Sequence, residues 1–150
     1  MEFNIIKQHI EKLMELMGIS DFSIEFKEIE DSPLAINIKM SEPQILIGRG
    51  GSTLITMQHI IKRLVYKKDP TFVNFTIDIN NYRKERERLL RELADEAASK
   101  VRLQKKSVIF PPMSAYERRI IHLQLAGDGY IATESIGEEP YRKVVIRAYS

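Results

Sequence analysis

The stretch Ile47-Gly48-Arg49-Gly50-Gly51 stands between two alternating apolar runs and an amphipathic helical run. Three glycines beside one arginine, opening a helix, make a backbone surface that can touch a phosphate. Glycine carries no Cβ to hold a nucleic-acid backbone away. The helix that follows offers unpaired N–H groups and the positive end of its dipole to an anion. Arg49 adds a mobile charge beside them.

Upstream of the loop, Ile5, Ile6, Ile10, Leu13, Met14, Leu16 and Met17 recur at helical spacing, and Gly18 follows as a stop. Phe22, Ile24 and Phe26 alternate with polar residues, and Leu34, Ile36, Ile38 and Met40 repeat the alternation after Asp31-Ser32-Pro33. Together they predict a hairpin. A brief helical turn, Pro43 to Ile47, leads into the glycines. Downstream, Leu54, Ile55, Ile60, Ile61, Leu64 and Val65 predict a helix that Asp69-Pro70 stops, and Val73, Phe75, Ile77 and Ile79 predict a third strand. The order α-β-β-α-α-β, with one layer of helices for one sheet face, is a compact α+β domain.

That order decides what the glycine loop means. A nucleoside-triphosphate loop needs a lysine that Gly51-Ser52-Thr53 lacks, and a dinucleotide fingerprint needs glycine where Thr53 stands. A GxxG loop joining two helices, after a hairpin and before a third strand, resembles a KH domain of the bacterial type, type II. Ile45 to Leu54 is similar to that family's Ile-Gly-x-x-Gly stretch. The resemblance implies that Gly48, Arg49, Gly50 and Gly51 hold a sugar–phosphate backbone, and that Ile47, Ile55 and some of Ile36, Ile38 and Met40 wall a groove for unpaired nucleotides. Read from the residues alone, some of these aliphatics are core, because a small domain has few others to bury.

After Asn80-Asn81, Tyr82 to about Gln104 predicts one long helix with Leu89, Leu90, Leu93, Ala94, Ala97, Ala98 and Val101 on one stripe and a basic opposite face. Val108-Ile109-Phe110 reads as a short strand before Pro111-Pro112. Ser114 is placed to cap a helix over about 115–125, with Glu117 at the capping-box position. Gly127-Asp128-Gly129 ends it, and strands follow over 130–136 and 142–148. The expected division is therefore 1–80, a connecting basic amphipathic helix over 81–106, and a small α/β unit over 107–150.

In that last unit Arg118 and His122 are four apart and share a helix face, which sets a permanent cation beside a group that titrates near neutrality. Alone, such a pair is an ordinary solvated face. The wider pattern, Glu117-Arg118-Arg119-Ile120-Ile121-His122, then Thr133-Glu134-Ser135, then Glu138-Glu139-Pro140-Tyr141-Arg142, resembles the Arg-x-x-x-His domain of single-stranded nucleic-acid binders. A KH domain followed by that domain is similar to the Jag family, also called SpoIIIJ-associated protein or KhpB. The resemblance implies nucleic-acid contacts at Arg118 and His122, to which Arg142 is added as a nearby basic contact, and Arg119 is open as a partner of Glu117 or Glu138. It also implies a link to cell elongation and division and a small KH-domain protein as partner. The family's usual N-terminal Jag domain is expected to be absent here. Tyr116, Tyr130 and Tyr141 are expected to pack under the small sheet in preference to stacking on bases.

Composition narrows the classes. A chain of 150 residues, 43% apolar and without cysteine, excludes disulfides and thiolate metal sites, and it points to a reducing cytoplasm. No apolar run reaches the roughly 18 residues of a membrane span, so no membrane insertion is expected. His9 and His59 lack neighbours at ligand spacing, and no metal or other cofactor is expected. Residues 1–31 hold three Lys/Arg against eight Asp/Glu, 41–71 five against two, and 82–106 nine against five. The acidic start and basic middle suggest an anionic partner facing the middle of the chain, although the charges alone fit solvated helix faces with ordinary ion pairs better. The expected function is non-catalytic binding of single-stranded RNA, or of single-stranded DNA, by a post-transcriptional regulator. The alternative is a scaffold whose two modules bind proteins, and a homodimer stays open. No nucleophile motif supports an enzyme.

Overall fold

The computed structural model describes residues 2–72 and 74–149. They form two compact units, Met1–Arg83 and Lys84–Ser150.

In the first unit, α1 (Glu2–Leu16), β1 (Phe22–Lys27), β2 (Leu34–Met40), α2 (Gln44–Ile47), a 3-10 turn (Arg49–Gly51), α3 (Ser52–Lys68) and β3 (Phe75–Ile79) follow in that order. The sheet order is β1-β2-β3. β1 and β2 pair antiparallel, and β2 and β3 pair parallel, with Ile36 beside Ile77. Alternation puts Ile36, Ile38, Phe75, Ile77 and Ile79 on the face that meets Ile6, Ile10 and Met14 of α1 and Leu54, Ile61 and Val65 of α3. The opposite face is polar, with Lys39 and Glu25 paired at 2.8 Å. Val73, read from the sequence as the start of β3, lies outside the described residues.

The boundaries follow local chemistry. At the end of α1, Gly18 takes φ +73, its N–H donates to the Glu15 carbonyl and the Ile19 N–H donates to Met14, which is a Schellman ending. After β3, Asn80 and Asn81 both take left-handed φ. The Asn80 side chain accepts from the Met40 N–H and donates to the Met40 carbonyl, closing the sheet end, and Asn81 N–H donates to Asn37.

α4 (Tyr82–Gln104) begins in the first unit and runs into the second, where β4 (Val108–Ile109), α5 (Ala115–Leu125), β5 (Ile131–Ile136) and β6 (Lys143–Ala148) follow. The second sheet is antiparallel in the order β4-β6-β5. Leu90, Ala94, Ala97, Ala98 and Val101 of α4 are buried with Ile120, Ile121 and Leu125 of α5 and with Ile131, Val144 and Ile146. The stripe of α4 is therefore part of a core and not a solvated linker face. Ser114 caps α5, its hydroxyl accepting from Glu117 N–H at 3.2 Å. Among the described residues no helix is long and apolar enough to cross a membrane.

Candidate nucleic-acid interface

α2 ends where the Gly48 N–H donates to the Gln44 carbonyl at 3.0 Å. Gly48 then takes φ 70 and ψ −176, a region that only glycine occupies with ease. A Cβ there would stand 2.1 Å from Thr53 Oγ1, so Gly48 is required twice over. Gly51 is buried against the Tyr82 ring. Gly50, at φ 61, is exposed and has no atom within 4 Å of where a Cβ would stand. The outer surface of the loop is thus bare backbone. Arg49 is exposed, and its guanidinium has no hydrogen-bond partner among the described residues. The start of α3 receives no side-chain cap and has no acidic residue in its first turn. Its positive end is uncompensated locally, beside one free guanidinium.

The aliphatic residues divide by burial. Ile36, Ile38 and Ile47 are at most 3% exposed and belong to the core of the first unit. Met40 is half-buried. Ile55 is 44% exposed, and Ile45, which sequence reasoning did not single out, is 57% exposed. These two flank the glycines on α3 and α2. The signal for Ile45 is the length of α2: in a single turn that buries Leu46 and Ile47, the preceding residue faces outward.

In the second unit Arg118 and His122 do share a face of α5, and it is the face toward the sheet. Arg118 is only 7% exposed. Its guanidinium donates to the Met113 carbonyl and to Glu139 Oε1, both at 2.8 Å, tying the β5–β6 connection to the start of α5. Both ring nitrogens of His122 lie 2.7 Å from hydroxyls, Nδ1 from Thr133 Oγ1 and Nε2 from Ser135 Oγ. Burial, and then the nearby Arg118 charge, lower the His122 pKa from the usual histidine value. Thr133 and Ser135 are two apart on β5, which gives them one face. Arg142 donates to the Gly137 carbonyl at 2.7 Å within the same connection. The Glu117 carboxylate accepts from one edge of the Arg86 guanidinium, from Nε at 2.8 Å and Nη2 at 3.4 Å, and Arg119 is exposed. The expectation that three tyrosines pack under the sheet is corrected: Tyr116, Tyr130 and Tyr141 are all exposed, because Ile, Val and Ala side chains fill that core.

The R-3-H domain family, whose motif is Arg-x-x-x-His, matches residues 88–148. Among curated proteins, the RNA-binding protein KhpB of Clostridium symbiosum is 39% identical over 140 residues, covering 93% of this chain and 63% of its own length. The RNA-binding protein KhpB of Bacillus subtilis is 31% identical over 143 residues, covering 93% of this chain and 67% of its own. The chain belongs to the KhpB family. A third KhpB, from Lactiplantibacillus plantarum, is 32% identical over 132 residues, 88% of this chain and 40% of that protein. The chain therefore spans about two-thirds or less of the relatives it matches. In this KhpB-family chain the Arg-x-x-x-His domain match contains Arg118, His122 and Arg142, and the glycine loop precedes it.

Proposed function

We propose that this chain binds single-stranded RNA without catalysing a reaction, through a type II KH domain over its first eighty or so residues and an Arg-x-x-x-His domain after it. The observation that carries the reading is the loop Gly48–Gly51, where bare backbone and an unpaired Arg49 stand at an uncapped helix start. Such a surface grips a phosphate through N–H groups and one cation. Ile45 and Ile55 supply the exposed apolar flank of a groove for unpaired bases, and Ile36, Ile38 and Ile47 support it from the core. Three relatives carry the name RNA-binding protein, which supports the same partner.

In the Arg-x-x-x-His domain, Arg118 acts by holding Glu139 and the β5–β6 connection in place, and His122 does so by fixing Thr133 and Ser135. Arg142 shapes that connection from within. The family resemblance adds a cytoplasmic regulator of cell elongation and division and a small KH-domain partner.

The test is fluorescence anisotropy with single-stranded RNA, matching DNA and duplex RNA. Arg49→Asp with Gly50→Asp is expected to remove most single-strand binding while circular dichroism stays unchanged. Undiminished affinity in that folded variant overturns the reading. One observation favours the scaffold alternative: Ile60 and Leu64 are exposed one turn apart on α3. If RNA fails to bind at low salt, light scattering with and without a protein partner becomes the deciding measurement.

A further inference from the structure

The second sheet has two sides of different character. Ile131, Val144 and Ile146 point toward α5 and are buried. Their alternating neighbours on β5 and β6 therefore project from the other side. Ile131 pairs with Ala148, and the Tyr149 N–H donates to the Tyr130 carbonyl at 3.0 Å, so the ladder runs one step further and sets Tyr130 opposite Tyr149. Cross-strand partners of this kind are about 5.5 Å apart at Cα. Tyr149 is 62% exposed, and its hydroxyl has no hydrogen-bond partner among the described residues. Packing therefore gives this ring nothing to do.

Cations surround the pair. Lys105 Nζ stands 4.6 Å from the Tyr130 ring centroid and hydrogen-bonds its hydroxyl. Arg147, opposite Ala132, and Lys143, opposite Ile136, project from the same side. Glu134 is the acidic residue of β5 and β6 on this side. It stands 3.8 Å from Arg147 in a pair whose side chains are about half exposed, and such a pair yields readily to a phosphate.

We propose that this open sheet face is a second single-strand contact, where an unpaired base stacks on Tyr149 and the adjoining phosphates meet Lys105 and Arg147. Open aromatic faces beside basic side chains are the chemistry that holds unpaired nucleotides, because every base has a π-face and every link a charge. An acidic peptide would use the cations and leave the rings idle. The site lies on the side of the sheet opposite Thr133, Ser135 and His122, so it is separate from the Arg118–His122 cluster. It would extend the strand's path over the Arg-x-x-x-His domain and add a base-dependent increment to charge-driven binding. The inference rests on the single-stranded RNA reading above.

The experiment compares the whole chain with Tyr149→Ala and Tyr149→Phe by anisotropy, using a short labelled RNA and a strand of equal length carrying abasic sites. The expected result is that Tyr149→Ala binds the base-bearing RNA at least about fivefold more weakly. Its affinity for the abasic strand stays that of the unaltered chain, and Tyr149→Phe behaves as the unaltered chain does. Equal affinity of Tyr149→Ala and the unaltered chain for the base-bearing RNA overturns this site and leaves RNA binding standing. Failure of the unaltered chain to bind either strand at low salt overturns the RNA reading, and this site with it.

Discussion

Gly48 and Gly50 stand two positions apart, both with positive φ, yet they answer to different physics. At Gly48 an alanine meets Thr53 Oγ1 at 2.1 Å and Thr53 Cβ at 2.7 Å, on a backbone that side chains avoid. At Gly50 it meets nothing within 4 Å, and only the left-handed conformation resists it. Urea unfolding should therefore show Gly48→Ala destabilised by roughly 3 kcal/mol or more and Gly50→Ala by only about 1 kcal/mol. Equal losses would mean that the loop relaxes and that Thr53 does not gate it. His122 gives a second residue-scale expectation. Burial and Arg118 hold its folded-state pKa below 6.5, so between those two values the unfolded chain binds the additional proton. Its contribution to stability is then complete above pH about 6.5 and falls away as pH drops through the lowered folded value. His9 is lowered as well, by burial and by Lys68, so the unaltered chain alone does not isolate either group. The thermal midpoint should fall between pH 7.5 and 5.5, and His122→Gln should flatten part of that fall. An unchanged profile in the variant would remove His122 as a contributor.

At the scale of elements, α4 shows what a stripe of small residues does. Ala94, Ala97 and Ala98 are buried, and a larger side chain there must displace α5 or the sheet. Ala98→Leu should cost about 1–3 kcal/mol by overpacking, whereas Lys100→Leu, on the exposed face, should lie within about 0.5 kcal/mol of the unaltered chain. Thermal denaturation of both variants distinguishes a packed helix from a solvated one. The same stripe was legible in the sequence, as were the hairpin, the asparagine stop after β3 and the Ser114 cap, since each follows from periodicity or from a local backbone need. Less legible was which apolar residues remain on the surface. Alternation assigns Ile36 and Ile38 to a face of β2, but only the arrival of α1 and α3 over that face makes them core. Ile45 and Ile55 carry the same side chain as Ile47 and differ in where a one-turn helix and its successor point them. Arg86, thirty-one positions before Glu117, took the role that Arg119 or a capping box could have filled, and no local pattern announces a partner that distant.

Across the whole chain the charge is unevenly spread in a way that the net value of +2 conceals. Residues 1–31 carry a net −5, while 41–71 carry +3 and 82–106 carry +4. A strand of RNA drawn to the basic segments gains by releasing the counterions its phosphates held, and that gain shrinks as salt rises. If the glycine loop and its neighbours neutralise about three phosphates, the logarithm of affinity should fall with the logarithm of salt at a slope near −2 for a single strand. Between 50 and 200 mM salt that amounts to about a twentyfold loss. Arg49→Asp should reduce the steepness by about 0.7, the share of one phosphate, as well as lowering affinity at every salt concentration. An anisotropy titration at four salt concentrations measures both. A flat slope for the unaltered chain would place the binding energy in apolar contact with the bases, at Ile45 and Ile55, and not in phosphate contacts. A steep slope that Arg49→Asp leaves intact would move the phosphate contacts away from the glycine loop to the basic face of α4.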